Sequence, residues 1–271
     1  MEWPKLKNII LTILVVTDLF LLSLVGLRSW NSARYLEQAR ANALQVLEQN
    51  AIKMDPGALP EDRSLPVAVF TWEREKEETL LEPLLGEVEE SAQGSGRYQY
   101  DGKKGTAWLL SRGEFVVDLK QGAYPESGEL EEQAVKALAL MGIESMVLSS
   151  REETGREKVT LLQLWNAVPV YTCQIEVTGF DGGLQTISGT RLNGTPASAG
   201  ELEMSAVTGL LRFLEKFEET GDVCTEILTM QAGYQLTTSV SGTSVLRPVW
   251  YFVTDTGAYA LDLTANQLNK L

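Results

Sequence analysis

Residues Ile9–Leu27 (IILTILVVTDLFLLSLVGL) form a predominantly apolar run of 19 residues, and this run constrains the chain more than any other feature. As a helix it spans roughly 28 Å, close to the hydrocarbon thickness of a bilayer. Fourteen of its residues are large aliphatic or aromatic side chains. Each favours insertion by roughly 0.3–0.6 kcal/mol, against a cost of roughly 2.5–3.5 kcal/mol for the single Asp18. The balance favours insertion. The following LRSWNSARYL offers no good small-x-small cleavage site, so an uncleaved signal anchor is expected. Lys5 and Lys7 on one side nearly balance Arg28, Arg34 and Arg40 on the other. The absence of a further hydrophobic span then favours a cell-membrane protein with a cytoplasmic N-terminus and an extracytoplasmic C-terminal domain.

Asp18 lies near mid-span, with a side chain too short to reach either interface, so it calls for protonation, water or a donor on another helix. Leu11, Leu14, Leu22 and Val25 share its helical face. Two readings stand: the face carrying Asp18, Leu14, Leu22 and Val25 docks on a partner transmembrane helix, or a neutral Asp is tolerated by a helix with hydrophobicity to spare.

Beyond residue 40 the chain carries 34 acidic against 18 basic residues, a net −16. A surface this negative repels phosphate backbones and anionic headgroups, which argues against nucleic-acid binding and attachment through a basic patch. The lipid bilayer is met through the N-terminal helix instead. The chain has no His, which excludes Ser-His and Cys-His triads, His-ligated zinc and any imidazole base. Two carboxylates suffice for a glycosidase, but no motif selects a pair among 37. The expectation is a protein that is not an enzyme and uses no cofactor or metal.

Periodicity then organises the rest. A helix is expected over Asn31–Lys53 from apolar residues at spacings of three and four, either packed or serving as a stalk, with packing favoured. Strand patterns follow at Pro66–Trp72, RYQYDG and GTAWLLSRGEFVVDL, then a helix over Ser127–Met141 with Ser127 at its start and Gly142 at its end. Further strands are expected at Ser145–Leu148, Lys158–Trp165, Pro169–Thr178 and Leu184–Ser188. A second helix is expected over Ala199–Glu219, then strands at Val223–Thr237, interrupted at Gly233, and at Leu246–Thr254 and Tyr259–Leu263.

The expected class is α+β: one N-terminal transmembrane helix, then repeated modules of a helix packed on an antiparallel β-sheet. The division is a tail 1–8, the anchor 9–27, a juxtamembrane helix and linker 28–60, and α+β modules at 61–125, 126–195 and 196–271.

Smaller features read as structure. GFDGG at Gly179–Gly183 reads as a hairpin turn in preference to a cation loop around Asp181, and Asn193-Gly194-Thr195 as another turn. Cys173 and Cys224 lie in strand-like runs without CxxC spacing. A disulfide between them is open to an exported domain, but two separate buried thiols are favoured. Trp165, Tyr171, Tyr234, Trp250 and Tyr251 are read as core rather than a binding platform.

The opening MEWPKLKNIILTILVVTDLFLL resembles the start of YycI regulatory proteins: Met, an acidic residue and Trp, a Lys-containing stretch, then a hydrophobic helix holding Asp or Asn. LLQLWNAVPVYTCQIEV is similar to that family's aromatic strand, turn ending in Pro, and second strand. QAGYQL followed by LRPVWYFVTDTGAYALDL is similar to its Gly-Tyr, Pro-x-Trp and closing hairpin elements. The W-x-x-x-P-V pattern also looks like PepSY-type domains, while the acidic segment Glu73–Glu90 matches neither.

The resemblance implies a noncatalytic membrane regulator of Gram-positive bacteria. Its partners would be the essential cell-wall sensor histidine kinase WalK (YycG) and a YycH-like companion, engaged through transmembrane and extracytoplasmic contacts. The alternative is a membrane-anchored PepSY-like inhibitor or binding module for a cell-wall enzyme or secreted protease.

Overall fold

The computed structural model describes residues 34–94, 96–124, 128–153, 155–180, 182–239 and 243–271. The apolar span 9–27, with Leu11, Leu14, Asp18, Leu22 and Val25, lies outside them, as do Ser127 and Asp181. No helix among the described residues is long and apolar enough to cross a membrane.

Helix α1 occupies 34–49, within the expected Asn31–Lys53. It packs, and is not a free stalk: Ala43 and Leu47, four residues apart on one face, are buried. Arg40 Nη1 donates to Pro60 O at 2.7 Å and Nη2 to Leu59 O, which ties the helix to the turn that follows. Strands β1 (Lys53–Met54) and β2 (Arg63–Thr71) come next.

The acidic segment that matched no pattern then forms α2 (Glu77–Leu85) and β3 (Val88–Gly94). Leu81, Leu84 and Leu85 supply the buried stripe of α2, and the surrounding glutamates hide it from a composition count. Strands β4 (Arg97–Gly102), β5 (Gly105–Leu110) and β6 (Glu114–Leu119) continue as a meander.

Helix α3 (Leu130–Leu140) is N-capped at Glu129, whose side chain makes no capping bond, and Gly142 at φ 68° follows its end as expected. Strands β7 (Ser145–Glu153), β8 (Arg156–Trp165), β9 (Val168–Phe180) and β10 (Gly183–Thr190) follow.

The expected helix over Ala199–Glu219 is corrected. Its first part is strand β11 (Thr195–Met204), and α4 spans only Ala206–Thr220. Two features divide it: a register shift between Ser198 and Glu201, with Gly200 at φ 112°, and Ser205, whose Oγ accepts from Thr208 N at 3.4 Å as the N-cap. Strands β12 (Glu226–Thr238), β13 (Thr243–Thr254), β14 (Gly257–Asp262) and β15 (Gln267–Lys270) close the chain. Gly233 does not interrupt β12: the Tyr171 ring lies over it, and a Cβ there would sit 2.2 Å from Tyr171 Cε2.

The class is α+β and sheet-dominated, with four α-helices and fifteen strands among the described residues. The strands pair in the order β11-β2-β13-β12-β9-β10-β6-β5-β4-β3, with β1, β7, β8, β14 and β15 off this path. Pairing is antiparallel except for β1 and β9 against β12. Two large apolar cores lie on this surface, with a small third cluster of Leu162, Tyr171, Val249 and Ala260. Helices α1 and α4 cover one, which holds Ala43, Leu47, Leu210, Phe213, Trp250 and Phe252. Helices α2 and α3 cover the other, where Leu81, Tyr100 and Val117 join Ala134, Leu138, Val159 and Val177, so a single core spans residue 125. Of the aromatic residues read as core, Tyr171, Tyr234 and Trp250 are buried, whereas Trp165 and Tyr251 are half-buried against the cores, with Tyr251 stacked on Tyr171 at 3.7 Å.

Phe213 stacks on Phe252 at 4.2 Å inside the first core. Phe213→Ala is expected to cost about 3–5 kcal/mol in urea denaturation, the range for truncating a buried aromatic. The β8–β9 turn places Asn166 and Ala167 at φ 50° and 60°, a left-handed conformation that disfavours Ala. Ala167→Gly should therefore raise stability by about 1 kcal/mol in the same assay, against the usual sign of a glycine substitution.

Candidate functional site

Three stretches of chain join the two cores: Trp72–Lys76 after β2, strand β9, and Arg191–Gly194 between β10 and β11. The first and last lie side by side because Arg191 Nη2 pairs with Glu77 Oε2. Both side chains are buried, at 7% and 3% exposure. Glu77 Oε1 also accepts from Trp72 Nε1 at 2.8 Å.

Three hydrogen bonds hold the return crossing. Arg191 N donates to Gly113 O at 3.0 Å, Leu192 N to Gln163 Oε1 at 2.7 Å, and Asn193 Nδ2 to Ser111 O at 3.1 Å. Gly194 has φ 98°, and a Cβ there would lie 1.9 Å from Thr71 O, so the close approach of β11 to the end of β2 requires glycine.

Aromatic and charged groups extend this seam over β3 and β4. The Trp72 ring lies 5.4 Å from Tyr98, and the Arg74 guanidinium sits 4.8 Å over Tyr98 while pairing with Glu90. The Tyr100 hydroxyl donates to Glu90 Oε2 at 3.2 Å, and burial together with that carboxylate pushes its pKa above the ordinary phenol value.

Beside the ion pair opens a cleft of about 690 Å³. Phe70, Leu80, Met141, Ile143 and Trp165 give it apolar walls, and Glu73, Lys76, Glu144 and Asn166 line it with polar groups. Trp165 is held edge-on between Phe70 at 6.1 Å and Tyr234 at 5.1 Å. Lys76 bridges Glu73 at 2.8 Å and Thr195 Oγ1 at 2.8 Å, which joins α2 to the start of β11. Apolar walls edged by charge suit recognition of a side chain or short segment.

Of the residues singled out from sequence, Leu14, Asp18, Leu22 and Val25 lie outside the described residues. Cys173 and Cys224 both contribute to the core under α1 and α4, but each is a free buried thiol, so the disulfide considered from sequence is not formed. Cys224 precedes β12 rather than lying inside a strand. Burial pushes the thiol pKa up to about 12 for Cys173 and about 11 for Cys224. Asn193 is 3% exposed and held in the seam turn, in keeping with its reading as structure.

Sequence reasoning missed Glu77 and Arg191. Glu77 is indistinguishable among the acids around it, but Arg191 carried a signal: it is the sole basic residue between Lys158 and Arg212.

No protein-family model and no curated protein matches the sequence. Among solved structures, the chain is similar to an uncharacterized protein from Eubacterium rectale at 13% identity and a TM-score of 0.44, covering 78% of this chain and 81% of that one. It is also similar to the Bacillus megaterium YpeB C-terminal domain at 11% identity and a TM-score of 0.37, covering 73% of this chain and 97% of that domain. At these scores neither likeness carries an argument.

Glu77→Ala leaves Arg191 buried without a counter-charge and should cost about 3–5 kcal/mol in denaturant titrations, whereas the double variant Glu77→Met/Arg191→Met should recover most of that loss. For the thiols, iodoacetamide at pH 8 should modify neither cysteine in the folded protein and both after denaturation, read by intact mass. The raised pKa values keep the thiolate fraction small at that pH.

Proposed function

We propose that the chain is a noncatalytic, membrane-anchored regulator of a YycG-type cell-wall sensor histidine kinase, acting through its transmembrane helix and an extracytoplasmic domain, with a YycH-like companion. The supporting observation is the docking of α1. The expected anchor ends at Leu27 and α1 begins at residue 34, so six residues separate them. Its Ala43 and Leu47 are embedded in the core with α4 and β13. An anchor joined to a packed helix passes force to the folded domain, whereas a flexible stalk would not. A regulator must bind two kinase states unequally, and Asp18 within a bilayer supplies an interaction strong enough to do so.

The cleft beside Glu77 and Arg191 favours a second reading, a tethered PepSY-like inhibitor or binding module that takes a segment of a cell-wall enzyme or protease against Trp165. Co-purification of the full chain with the candidate kinase from membranes separates the two. The regulator reading expects Asp18→Leu to abolish capture while thermal unfolding of the soluble domain is unchanged. Capture unaffected by Asp18→Leu but lost in Trp165→Ala would move the contact to the cleft, and no capture by the wild type would defeat the kinase assignment.

A further inference from the structure

Strand β8 carries its inward-facing side chains from one core to the other across the seam. Leu161 belongs to the core under α2 and α3, and Trp165 packs against the core under α1 and α4. Alternate residues of a strand share a face, so Gln163 falls between them, a polar side chain in an otherwise apolar row. It is 7% exposed and lines the cleft beside Glu77 and Arg191.

Its Oε1 accepts from Leu192 N at 2.7 Å, which fixes the turn of the amide and leaves Nε2 as the free end. Nε2 has no acceptor among the described residues, yet it keeps surface open to the cleft, unlike the enclosed Tyr234 hydroxyl. Arg191 lines the same cleft and engages Glu77 through Nη2 alone. Two nearly buried side chains therefore turn unpaired donors toward one cavity. A donor withdrawn from water without a partner is costly, and a ligand that accepts from it recovers the loss.

The charges around the cleft decide what kind of acceptor fits. Lys76 and Arg191 line it, against Glu73, Glu77 and Glu144. Arg191 is neutralised by Glu77 and Lys76 by Glu73, so an added anion would meet an excess of negative charge. The fitting acceptor is thus neutral, a carbonyl. Phe70, Leu80, Met141, Ile143 and Trp165 form walls that offer nothing to a hydroxyl group, so the carbonyl belongs to an apolar chain and not to a sugar. A peptide carries a large apolar side chain and backbone carbonyls side by side, and a cleft of about 690 Å³ lies within the range that encloses a ligand of such size.

We propose that the cleft takes an uncharged, apolar peptide segment of a protein partner, whose side chain lies against Trp165 while a backbone carbonyl accepts from Gln163 Nε2 and Arg191. The inference rests on the cleft-binding reading given above and adds the chemistry by which the segment is selected.

Calorimetric titration of the full chain in phosphatidylcholine nanodiscs tests it. The probe is acetyl-Phe-Leu-amide, compared with the same dipeptide bearing a free carboxylate and with N-acetylglucosamine, which has the acetamido carbonyl without an apolar side chain. One site per chain is expected for the amide, weaker binding for the carboxylate, and none for the sugar. Gln163→Glu keeps an oxygen for Leu192 N and replaces the donor with an acceptor, so binding should weaken about tenfold, the scale of one hydrogen bond. Gln163→Met, uncharged and close in volume, decides the matter if Gln163→Glu fails to fold. Trp165→Ala should weaken binding as well, and Glu203→Gln, on exposed β11, should bind as the wild type does. Binding lost in Trp165→Ala but unchanged in the Gln163 variants overturns the carbonyl assignment and leaves the cleft-binding reading standing, whereas binding unchanged in Trp165→Ala overturns both. No binding of the amide to the wild type, tighter binding of the carboxylate or the sugar, or equal weakening by Glu203→Gln overturns the inference, and loss of partner capture in Trp165→Ala remains the separate measure of the cleft-binding reading.

Discussion

The buried pair of Glu77 and Arg191 governs how the two halves of the sheet meet. Withdrawing both charges from water is expensive, and the attraction between them repays it only when the geometry is held and further hydrogen bonds complete it. Trp72 supplies one such bond to Glu77, and the backbone around Arg191 is fastened to Gly113 and Gln163. Glu77 is also the first residue of α2, where the helix dipole favours a carboxylate. The first and last crossings between the cores are therefore fixed to each other, and the cleft beside them inherits its shape from that contact.

Swinging one core against the other would separate Glu77 from Arg191 and leave a buried charge uncompensated. It would also draw Trp72 and Arg74 away from Tyr98, and strand β9, which pairs with β8 and β10 at one end and meets β12 at Val170, would have to break its ladder. The β8–β9 turn at the edge of the cleft holds Asn166 and Ala167 in a left-handed conformation, a local strain that the neighbouring pairing of Leu164 with Pro169 and Trp165 with Val168 keeps in place.

What could be read from the sequence follows the strength of each local signal. The alternation in GTAWLL and EFVVDL and the apolar face of Leu210, Phe213, Leu214 and Phe217 were legible because period and burial coincide there. Strand β11 was not: TPASAGELEM is exposed along nearly its whole length, and its Leu202 fitted the periodicity of the adjoining helix. Helix α2 was hidden by its glutamates, although Leu81, Leu84 and Leu85 formed a short stripe. The ion pair was the least legible element, because pairing across 114 residues is set by where the crossings land and no local pattern encodes that. The isolation of Arg191 from other basic residues was the available clue.

The position of α1 links these observations to the membrane question. Leu47 is fully buried, and exposing such a side chain costs about 1.5–3 kcal/mol, before counting Ala43 or the hydrogen bonds from Arg40 to the turn at Leu59 and Pro60. The helix is thus part of the folded unit and does not act as a swivel. Six residues lie between it and the apolar span, and even fully extended they reach about 20 Å. If that span crosses a bilayer, the core under α1 and α4 is held close to the membrane surface. With the two cores tied at Glu77 and Arg191, any displacement of α1 carries both cores with it, because Ala43 and Leu47 are part of the first core and the ion pair joins that core to the second.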